Sequence, residues 1–234
     1  MANLNSVHSV FISELQKHIT LAPVALKHSL PVRPLRTLGL IRLEGEVFTS
    51  EKLLRVVCLR ISLPCYVQVF STFIRPGIDY SLPVFSCEVI RLGSKRVFIL
   101  DIHETGDDHA EREETDFYNG LVSLRDRYTD LLAYQKQAPG EQIQGVRSKA
   151  ACQLKIPQAL DDQALDILKE YITAYAGLVK DTAPMSGADL EQSRKLFEEY
   201  LTTVVDHDPG VKGNIIFFGK SEGVARALDM FFGA

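Results

Sequence analysis

One carboxylate stands out by its position in the sequence. Glu88 lies in the middle of the run Val84–Arg91, which otherwise contains mainly apolar residues. A second strand-like run, Arg96–His103, follows after a short loop that contains Gly93 and Ser94. Two such runs joined by a short glycine-containing loop predict a β-hairpin.

Alternation along the first strand assigns its side chains to two faces. One face is predicted to carry Val84, Ser86, Glu88 and Ile90, and the other Phe85, Cys87, Val89 and Arg91. A carboxylate among apolar residues is costly unless it is paired or faces a water-accessible pocket. Glu88 is therefore a candidate acid in a pocket wall. Alternatively, it faces solvent or pairs with an arginine across the sheet.

A second candidate carboxylate is Asp208, which precedes Pro209. The proline restricts Asp208 to an extended backbone conformation. Asp-Pro pairs are also common turn chemistry, so a turn before a helix is the alternative interpretation.

The sequence gives little support for a metal site. Residues 101–109 are rich in Asp, Glu and His, but they match neither HExxH nor the calcium-loop pattern. Such charge runs usually mark solvated loops. None of the four cysteines is spaced as CxxC, which favours reduced thiols. We therefore expect no bound metal.

Composition is that of an ordinary globular protein. The 234 residues are 46% hydrophobic and 24% charged, which predicts one domain spanning residues 1–234. No apolar run is long enough for a membrane span, and no secretory signal is visible. We expect a cytoplasmic monomer, or a plastid stromal one if the chain is a processed form. No basic stripe with interleaved aromatic residues indicates nucleic-acid binding.

Charge is distributed unevenly. Residues 1–100 contain 12 Lys and Arg against 6 Asp and Glu, whereas the remainder contains 14 against 24. A basic surface on the first part of the chain could dock an acidic protein partner. The alternative is that these charges are only a solvated face.

The order of predicted elements is strands first and helices afterwards. The predicted helices are Asn5–Ile19, Phe117–Tyr134, Leu160–Leu178, Ala188–Val205 and Ser221–Phe232. The predicted strands are Gly39–Thr49, Lys52–Ser62, Tyr66–Ile74 and the two strands of the hairpin. Leu21–Leu38 is predicted to be an irregular arm and Ala138–Gln153 a loop. This order indicates an α+β fold, an antiparallel sheet with helices packed on its faces.

Three stretches together resemble the ferredoxin-dependent bilin reductase family. Leu38–Glu46 is similar to the family's early strand pair. Arg75–Ile90, followed by Val97–Asp101, resembles the family pattern Tyr-x-Leu-Pro-x-Phe-Gly-x-Asp, a short loop, and an apolar strand ending in Asp-Leu. Asp208-Pro209, followed by Met230–Gly233 at the end of a last helix, resembles the family's closing segment.

The resemblance implies an α/β/α sandwich that holds a linear tetrapyrrole between its sheet and its C-terminal helices. It implies no tightly bound cofactor, because reduced [2Fe–2S] ferredoxin delivers electrons one at a time and a bilin radical is then protonated. The expected reaction is a two-electron reduction of biliverdin or dihydrobiliverdin to a phycobilin. Glu88 and Asp208 would be the proton donors, and burial would raise the pKa of Glu88.

Three positions depart from the family pattern. Glu88 stands where the family usually has Asp, which moves the carboxyl group by roughly 1 Å. Ser71 stands where the branch that forms phycocyanobilin has His, and Ser86 replaces a Gly. Arg75 and Lys212 are candidates to bind a bilin propionate through charge-assisted hydrogen bonds. Basic residues of the first part of the chain, together with Lys220 and Arg226, would dock ferredoxin.

Other functions remain open at this level. The same fold could serve a red chlorophyll catabolite reductase, a distant relative that also resembles this chain in having Glu at the sheet position. The change from Asp to Glu at position 88 is also expected of a bilin carrier without catalytic activity. An unrelated α+β interaction protein would not bind a bilin at all.

Overall fold

Seven strands pair in sequence order into one antiparallel sheet within the part of the chain that the structure describes. This computed structural model describes residues 4–26, 42–63, 67–105, 115–136, 147–207 and 220–233. The strands are β1 (Ala22–Pro23), β2 (Arg42–Thr49), β3 (Leu53–Leu63), β4 (Val67–Pro76), β5 (Val84–Leu92), β6 (Lys95–His103) and β7 (Cys152–Pro157).

Helices cover this sheet on both of its faces. They are α1 (Leu4–Gln16), α2 (Asp116–Asp126), α3 (Thr129–Leu132), α4 (Asp161–Asp181), α5 (Ala188–His207) and α6 (Lys220–Ala227), and a π-helical turn (Leu228–Phe232) continues α6. A short 3₁₀ turn (Gln158–Leu160) precedes α4. The predicted α+β sandwich with a central antiparallel sheet is confirmed.

One face of the sheet, which we call the core face, packs against α1 and α4. Phe85 of β5 lies between Phe11 of α1 and Tyr175 of α4, with ring centroids 5.9 and 5.5 Å away. The buried hydroxyl of Tyr175 donates to the carbonyl oxygen of Pro83 at 2.9 Å, and that of Tyr171 donates to Ala150 O at 2.6 Å. Each fully buried side chain of this size contributes about 1.5–3 kcal/mol, so this face strongly favours one register of β5.

The opposite face, which we call the Glu88 face, is covered at one end by α5 and the π-helical turn. Val84, Phe197, Tyr200 and Phe232 form a buried cluster there. Phe73 of β4 meets the rings of two residues of the turn edge-on, at centroid distances of 5.7 and 5.4 Å. Aromatic contacts of this kind add about 0.5–1.5 kcal/mol each beyond burial.

The C-terminal turn requires a glycine where it ends. Gly233 has a φ of 68° and its N–H donates to Asp229 O at 3.1 Å. A Cβ at this position would lie 2.8 Å from the guanidinium group of Arg55. Glycine therefore permits both the left-handed conformation and the close approach of the turn to β3.

The predicted hairpin and its face assignment are confirmed, because Phe85, Cys87 and Val89 lie in the core face and Val84 in the opposite cluster. The predicted loop Ala138–Gln153 is wrong at its end, where Cys152 begins β7. That strand shows the alternation of buried and less buried residues that a strand requires, but it is only 6 residues long. Its brevity makes the pattern weak.

Two further predictions need correction. The predicted helix Phe117–Tyr134 is two helices, since Tyr128 leaves the helical conformation with a ψ of 54° and its hydroxyl donates to Glu170 of α4. The predicted arm Leu21–Leu38 contains β1, in which Ala22 pairs with Thr49 of β2. Residues 27–38 of that arm lie outside the described residues.

Lys52 ties the end of α4 to the sheet. Its Nζ donates to the carbonyl oxygens of Val179, Lys180 and Thr182 at 2.9, 2.9 and 2.8 Å. The last carbonyls of a helix have no intrahelical partner, and a cation there also interacts favourably with the helix dipole.

We expect Lys52→Met to lower the free energy of unfolding by about 2 kcal/mol, because three charge-assisted hydrogen bonds are lost. Urea denaturation followed by circular dichroism measures the change. Lys195→Met, at an exposed position of α5, is the matched control and should change stability by less than about 0.5 kcal/mol. Equal free energies of unfolding for Lys52→Met and Lys195→Met would show that the hydrogen bonds from Lys52 to the end of α4 contribute nothing to stability.

Candidate active site

Glu88 lies at the centre of the Glu88 face. Its cross-strand neighbours are Ser71 on β4 and Ile99 on β6, so no arginine stands directly opposite it. The next residues of β5 on the same face are Ser86 and Ile90. Glu88 is partly buried. Glu88 thus lies among apolar residues on the sheet, and its role as an acid stays a prediction.

The surface around Glu88 is apolar, and the part of the chain that the structure describes covers it only partly. Across the sheet, Val69, Ile90 and Val97 stand in one row and Leu59 lies opposite Ser71. Val69, Ile90, Val97 and Ile99 are only half-buried, and Leu92, further along β5, is 44% exposed. β-branched and other aliphatic side chains that remain accessible around one carboxylate form a surface suited to a flat apolar ligand.

A serine and a histidine form a second polar pair on the same face. The Oγ of Ser86 lies 2.7 Å from Nε2 of His103, which is the last residue of β6. The His103 ring meets the ring of Tyr200 edge-on at a centroid distance of 6.3 Å. Ser86 therefore connects the centre of the face with its aromatic end.

Asp101 is a third polar group on this face, since it stands directly opposite Ser86. Its side chain is completely buried, and Oδ1 accepts hydrogen bonds from Ser148 Oγ at 2.6 Å and from Ile102 N at 2.8 Å. The other oxygen lies 3.8 Å from Nη1 of Arg147. Burial raises the pKa of Asp101 to about 6, while Arg147 and the hydrogen bonds from Ser148 act in the opposite direction.

Arg147 approaches the face from the segment that precedes β7. Its side chain is 18% exposed. Nε and Nη1 of its guanidinium group are buried without a hydrogen-bond partner among the described residues. A buried guanidinium with unsatisfied donors is poised to bind a carboxylate.

Arg75 lies at the aromatic end of the face. Ser71, Phe73 and Arg75 alternate on β4, so Arg75 is about 13 Å from Ser71 along the strand. Its guanidinium carbon lies 4.3 Å from the ring centroid of Phe197, and desolvation together with the charge of Arg55 lowers its pKa to about 10. Arg75 therefore stands apart from Glu88, with Phe73 between them.

The structure thus brings together Glu88, Ser71 and Ser86, and places Arg75 at the other end of the same face. The two remaining candidates, Asp208 and Lys212, lie outside the described residues. Sequence reasoning did not assign a role in the site to Asp101, His103 or Arg147. The first two could have been found from strand alternation, which places residues 101 and 103 on one face opposite Ser86.

The described cysteines do not contribute to this site. Cys58, Cys87 and Cys152 are free, and all three are buried. Burial raises the pKa of each thiol, to about 12 for Cys152, so they remain protonated and unreactive at neutral pH.

The described residues show neither a metal-binding cluster nor a membrane-spanning helix. No group of three or more His, Cys, Asp or Glu side chains is arranged to hold a metal ion. No helix in the described ranges combines the length and apolarity that crossing a membrane requires.

The fold and this site define an antiparallel sandwich that presents a carboxylate on an accessible apolar sheet face. The sequence profile of the ferredoxin-dependent bilin reductases matches residues 8–222. The chain belongs to this family, whose members are oxidoreductases that act on bilins with electrons from ferredoxin.

A solved structure shows the same fold. The crystal structure of phytochromobilin synthase from tomato, in complex with biliverdin, superposes with a TM-score of 0.82 at 18% sequence identity. The match covers 99% of this chain and 83% of the tomato chain. A comparison with curated protein sequences gave no significant match.

Asp101→Asn should change how stability depends on pH. The pKa of Asp101 rises from 3.8 to about 6 in the folded state, so between these values the folded protein holds a proton that the unfolded chain has released. Stability from this group is present below about pH 4 and is lost as pH rises through about 6.

We therefore expect wild type to lose about 3 kcal/mol relative to Asp101→Asn between about pH 3 and pH 7, since each pKa unit corresponds to about 1.4 kcal/mol. Urea denaturation of both proteins across this range measures the difference. A stability difference that does not vary with pH would contradict the assigned pKa of Asp101.

Proposed function

We propose that this protein reduces one double bond of biliverdin or dihydrobiliverdin in a two-electron reaction, with electrons from reduced [2Fe–2S] ferredoxin and a phycobilin as product. The observation that carries the proposal is the position of Glu88, a carboxylate at the centre of an accessible apolar sheet face, in a chain of the ferredoxin-dependent bilin reductase family. The tomato phytochromobilin synthase with the same fold was crystallised with biliverdin, which supports a bilin as the ligand.

The apolar part of the face would bind the conjugated pyrrole system of the bilin. Half-buried aliphatic side chains such as Val69, Ile90 and Val97 offer a flat surface, and α5 with its aromatic residues closes one end. Removing water from the bilin strengthens each electrostatic contact in the pocket, since the local dielectric constant falls.

Glu88 would donate a proton to the bilin after an electron has arrived from ferredoxin. A one-electron-reduced bilin radical is a stronger base than the neutral bilin and takes up a proton at a defined atom. A positioned carboxyl group supplies it, and the carboxylate is then reprotonated from solvent. Asp208 is proposed as a second carboxyl group that orients the bilin and a water, and Ser71, next to Glu88, orients the substrate.

The propionates of the bilin require cations. Arg147 is well suited, because two of its buried nitrogens have no hydrogen-bond partner among the described residues. Arg75 and Lys212 are further candidates, although Arg75 lies at the aromatic end of the face, where its guanidinium already stacks on Phe197. A bilin with one propionate on Arg147 would lie across Ser86 and Glu88.

Ferredoxin is proposed to dock on basic residues of the first part of the chain. Arg42 and Lys95 are exposed and belong to the same end of the sheet, since β2 begins there and the β5–β6 hairpin turns there. Arg226, which was considered for this role, forms an ion pair with Glu222 at 2.8 Å and is largely buried.

Glu88→Gln tests the proposed proton donor, since glutamine keeps the shape of the side chain and removes the acidic proton. With biliverdin and reduced ferredoxin, we expect kcat to fall at least about 100-fold, the usual contribution of a general acid, while the Kd of biliverdin changes little. Glu51→Gln, at an exposed turn, is the control and should retain wild-type kcat. Full activity of Glu88→Gln would remove Glu88 from the mechanism.

The same assay separates the alternative functions. Glutamate in place of the family's usual aspartate favours a red chlorophyll catabolite as substrate. Biliverdin and the red chlorophyll catabolite are therefore each supplied to wild type. A higher kcat/KM for the catabolite would overturn the assignment to biliverdin. Tight binding of biliverdin without product under reducing conditions would identify a carrier.

Arg147→Gln tests the propionate contact. We expect the Kd of biliverdin to rise about 10-fold or more, because a charge-assisted hydrogen bond contributes about 1.5–3 kcal/mol. Absorbance titration measures the Kd, and Arg127→Gln on the exposed surface is the matched control. Unchanged affinity for biliverdin dimethyl ester in Arg147→Gln would support the assignment, since the ester lacks the carboxylates. An unchanged Kd for biliverdin itself would contradict it.

A further inference from the structure

The reduction of one double bond consumes two electrons and two protons, so a single carboxyl group cannot complete it without being reprotonated. Glu88 supplies one proton in the proposed function, on which this inference rests. The described part of the Glu88 face contains a second titratable group that connects to the centre of the face through a short hydrogen bond, namely His103.

The geometry of this pair suits proton transfer. Ser86 is the residue next to Glu88 on the same face of β5, and its Oγ lies 2.7 Å from His103 Nε2. A hydroxyl group can accept one hydrogen bond and donate another. Ser86 can therefore accept a hydrogen bond from the imidazole while it donates its own O–H toward a ligand on the face.

The imidazole is held in place from two sides. His103 lies opposite Val84 in the β5–β6 ladder, and its ring meets Tyr200 of α5 edge-on. Both Ser86 and His103 are partly buried. The hydrogen bond is therefore shielded by α5 but remains next to the accessible surface around Glu88.

We propose that Ser86 and His103 form a relay that delivers the second proton of the reduction to the bilin. The Ser86 O–H bond breaks as its proton passes to the two-electron-reduced bilin, and the N–H bond of the imidazolium breaks as its proton passes to Ser86 Oγ. The relay ends with a neutral imidazole and a restored hydroxyl. Both electrons come from ferredoxin, and the imidazole regains its proton from solvent.

Ser86 links the histidine with a ligand on the face, and a glycine at this position would have no hydroxyl group to make that link. His103 acts through Ser86 and is therefore a positioning and proton-supplying residue, whereas Ser86 would touch the substrate.

Several charged or titratable groups face the relay. They are Glu88 on β5, Asp101 on β6, Arg75 on β4, Arg147 before β7 and Tyr200 on α5. Asp101 and Arg147 form an ion pair with each other, with 3.8 Å between Oδ2 and Nη1. Since histidine titrates near pH 6.5, protonation through the relay should become faster as pH falls from about 8 to 6.

The test uses anaerobic single turnovers of wild type, His103→Gln, Ser86→Ala and Ser86→Thr at pH values from about 6 to 8. Glutamine can still donate a hydrogen bond to Ser86 but does not titrate. We expect the last absorbance phase to slow about 100-fold in His103→Gln and in Ser86→Ala, and to lose its pH dependence. Ser86→Thr keeps the hydroxyl group and should restore at least a tenth of the wild-type rate.

His18→Gln, in the exposed turn that follows α1, is the matched control and should keep the wild-type rate and pH profile. If His103→Gln shows the wild-type pH profile, the relay is overturned even though the protein reduces biliverdin. Failure of Ser86→Thr to restore the rate would show that packing, and not the hydroxyl group, explains the loss in Ser86→Ala.

A second readout does not depend on turnover. The absorbance spectrum of bound biliverdin is recorded against pH without ferredoxin. We expect a transition near the pKa of histidine in wild type that is absent in His103→Gln. The same transition in both proteins would also overturn the relay. If wild type shows the transition that His103→Gln lacks and yet gives no product with reduced ferredoxin, that result would contradict only the proposed function.

Discussion

The register of β5 between β4 and β6 is the constraint on which the rest of the structure depends. Phe85 must face the core, where it packs against Phe11 and Tyr175. Because neighbouring side chains of a strand point to opposite faces, this contact places Glu88 on the other face. A slip of one residue would bury the carboxylate in the core and expose the phenylalanine. The apolar core therefore determines where the acid stands.

The two faces of the sheet have different roles. The core face stabilises the fold, and the Glu88 face carries the groups proposed to act on the substrate. The core face is closed by α1 and α4, and the buried hydroxyls of Tyr171 and Tyr175 in α4 donate to backbone carbonyls. Among the described residues, the aromatic side chains of α5 and of the C-terminal turn close one end of the Glu88 face. Beyond that end, polar groups and accessible aliphatic side chains lie together. In the proposed function, this face would bind the flat conjugated pyrroles of a bilin beside a carboxyl group.

Much of this arrangement follows from the sequence, and the exceptions have physical causes. The alternation in Val84–Arg91 predicts the face of Glu88 without reference to any partner strand. The role of His103 depends on its pairing with Ser86, and Arg147 reaches Asp101 from a distant segment, so neither contact is encoded locally. Strand β7 is too short for a strong pattern, and the break at Tyr128 depends on a hydrogen bond to Glu170 of another helix. Sequence patterns report local geometry, whereas these features depend on tertiary contacts.

The most direct test of the central claim is the absorbance of the purified protein with biliverdin under anaerobic conditions, before and after reduced ferredoxin is added. We predict a spectral change on mixing, because the bilin enters the apolar pocket. The absorbance spectrum should change a second time after reduced ferredoxin is added, because one double bond is lost and the conjugated system of the bilin becomes shorter. No change on mixing would contradict the assignment of the Glu88 face as a bilin site. A bound spectrum that stays constant after ferredoxin is added would contradict the assignment of this protein as a reductase of biliverdin.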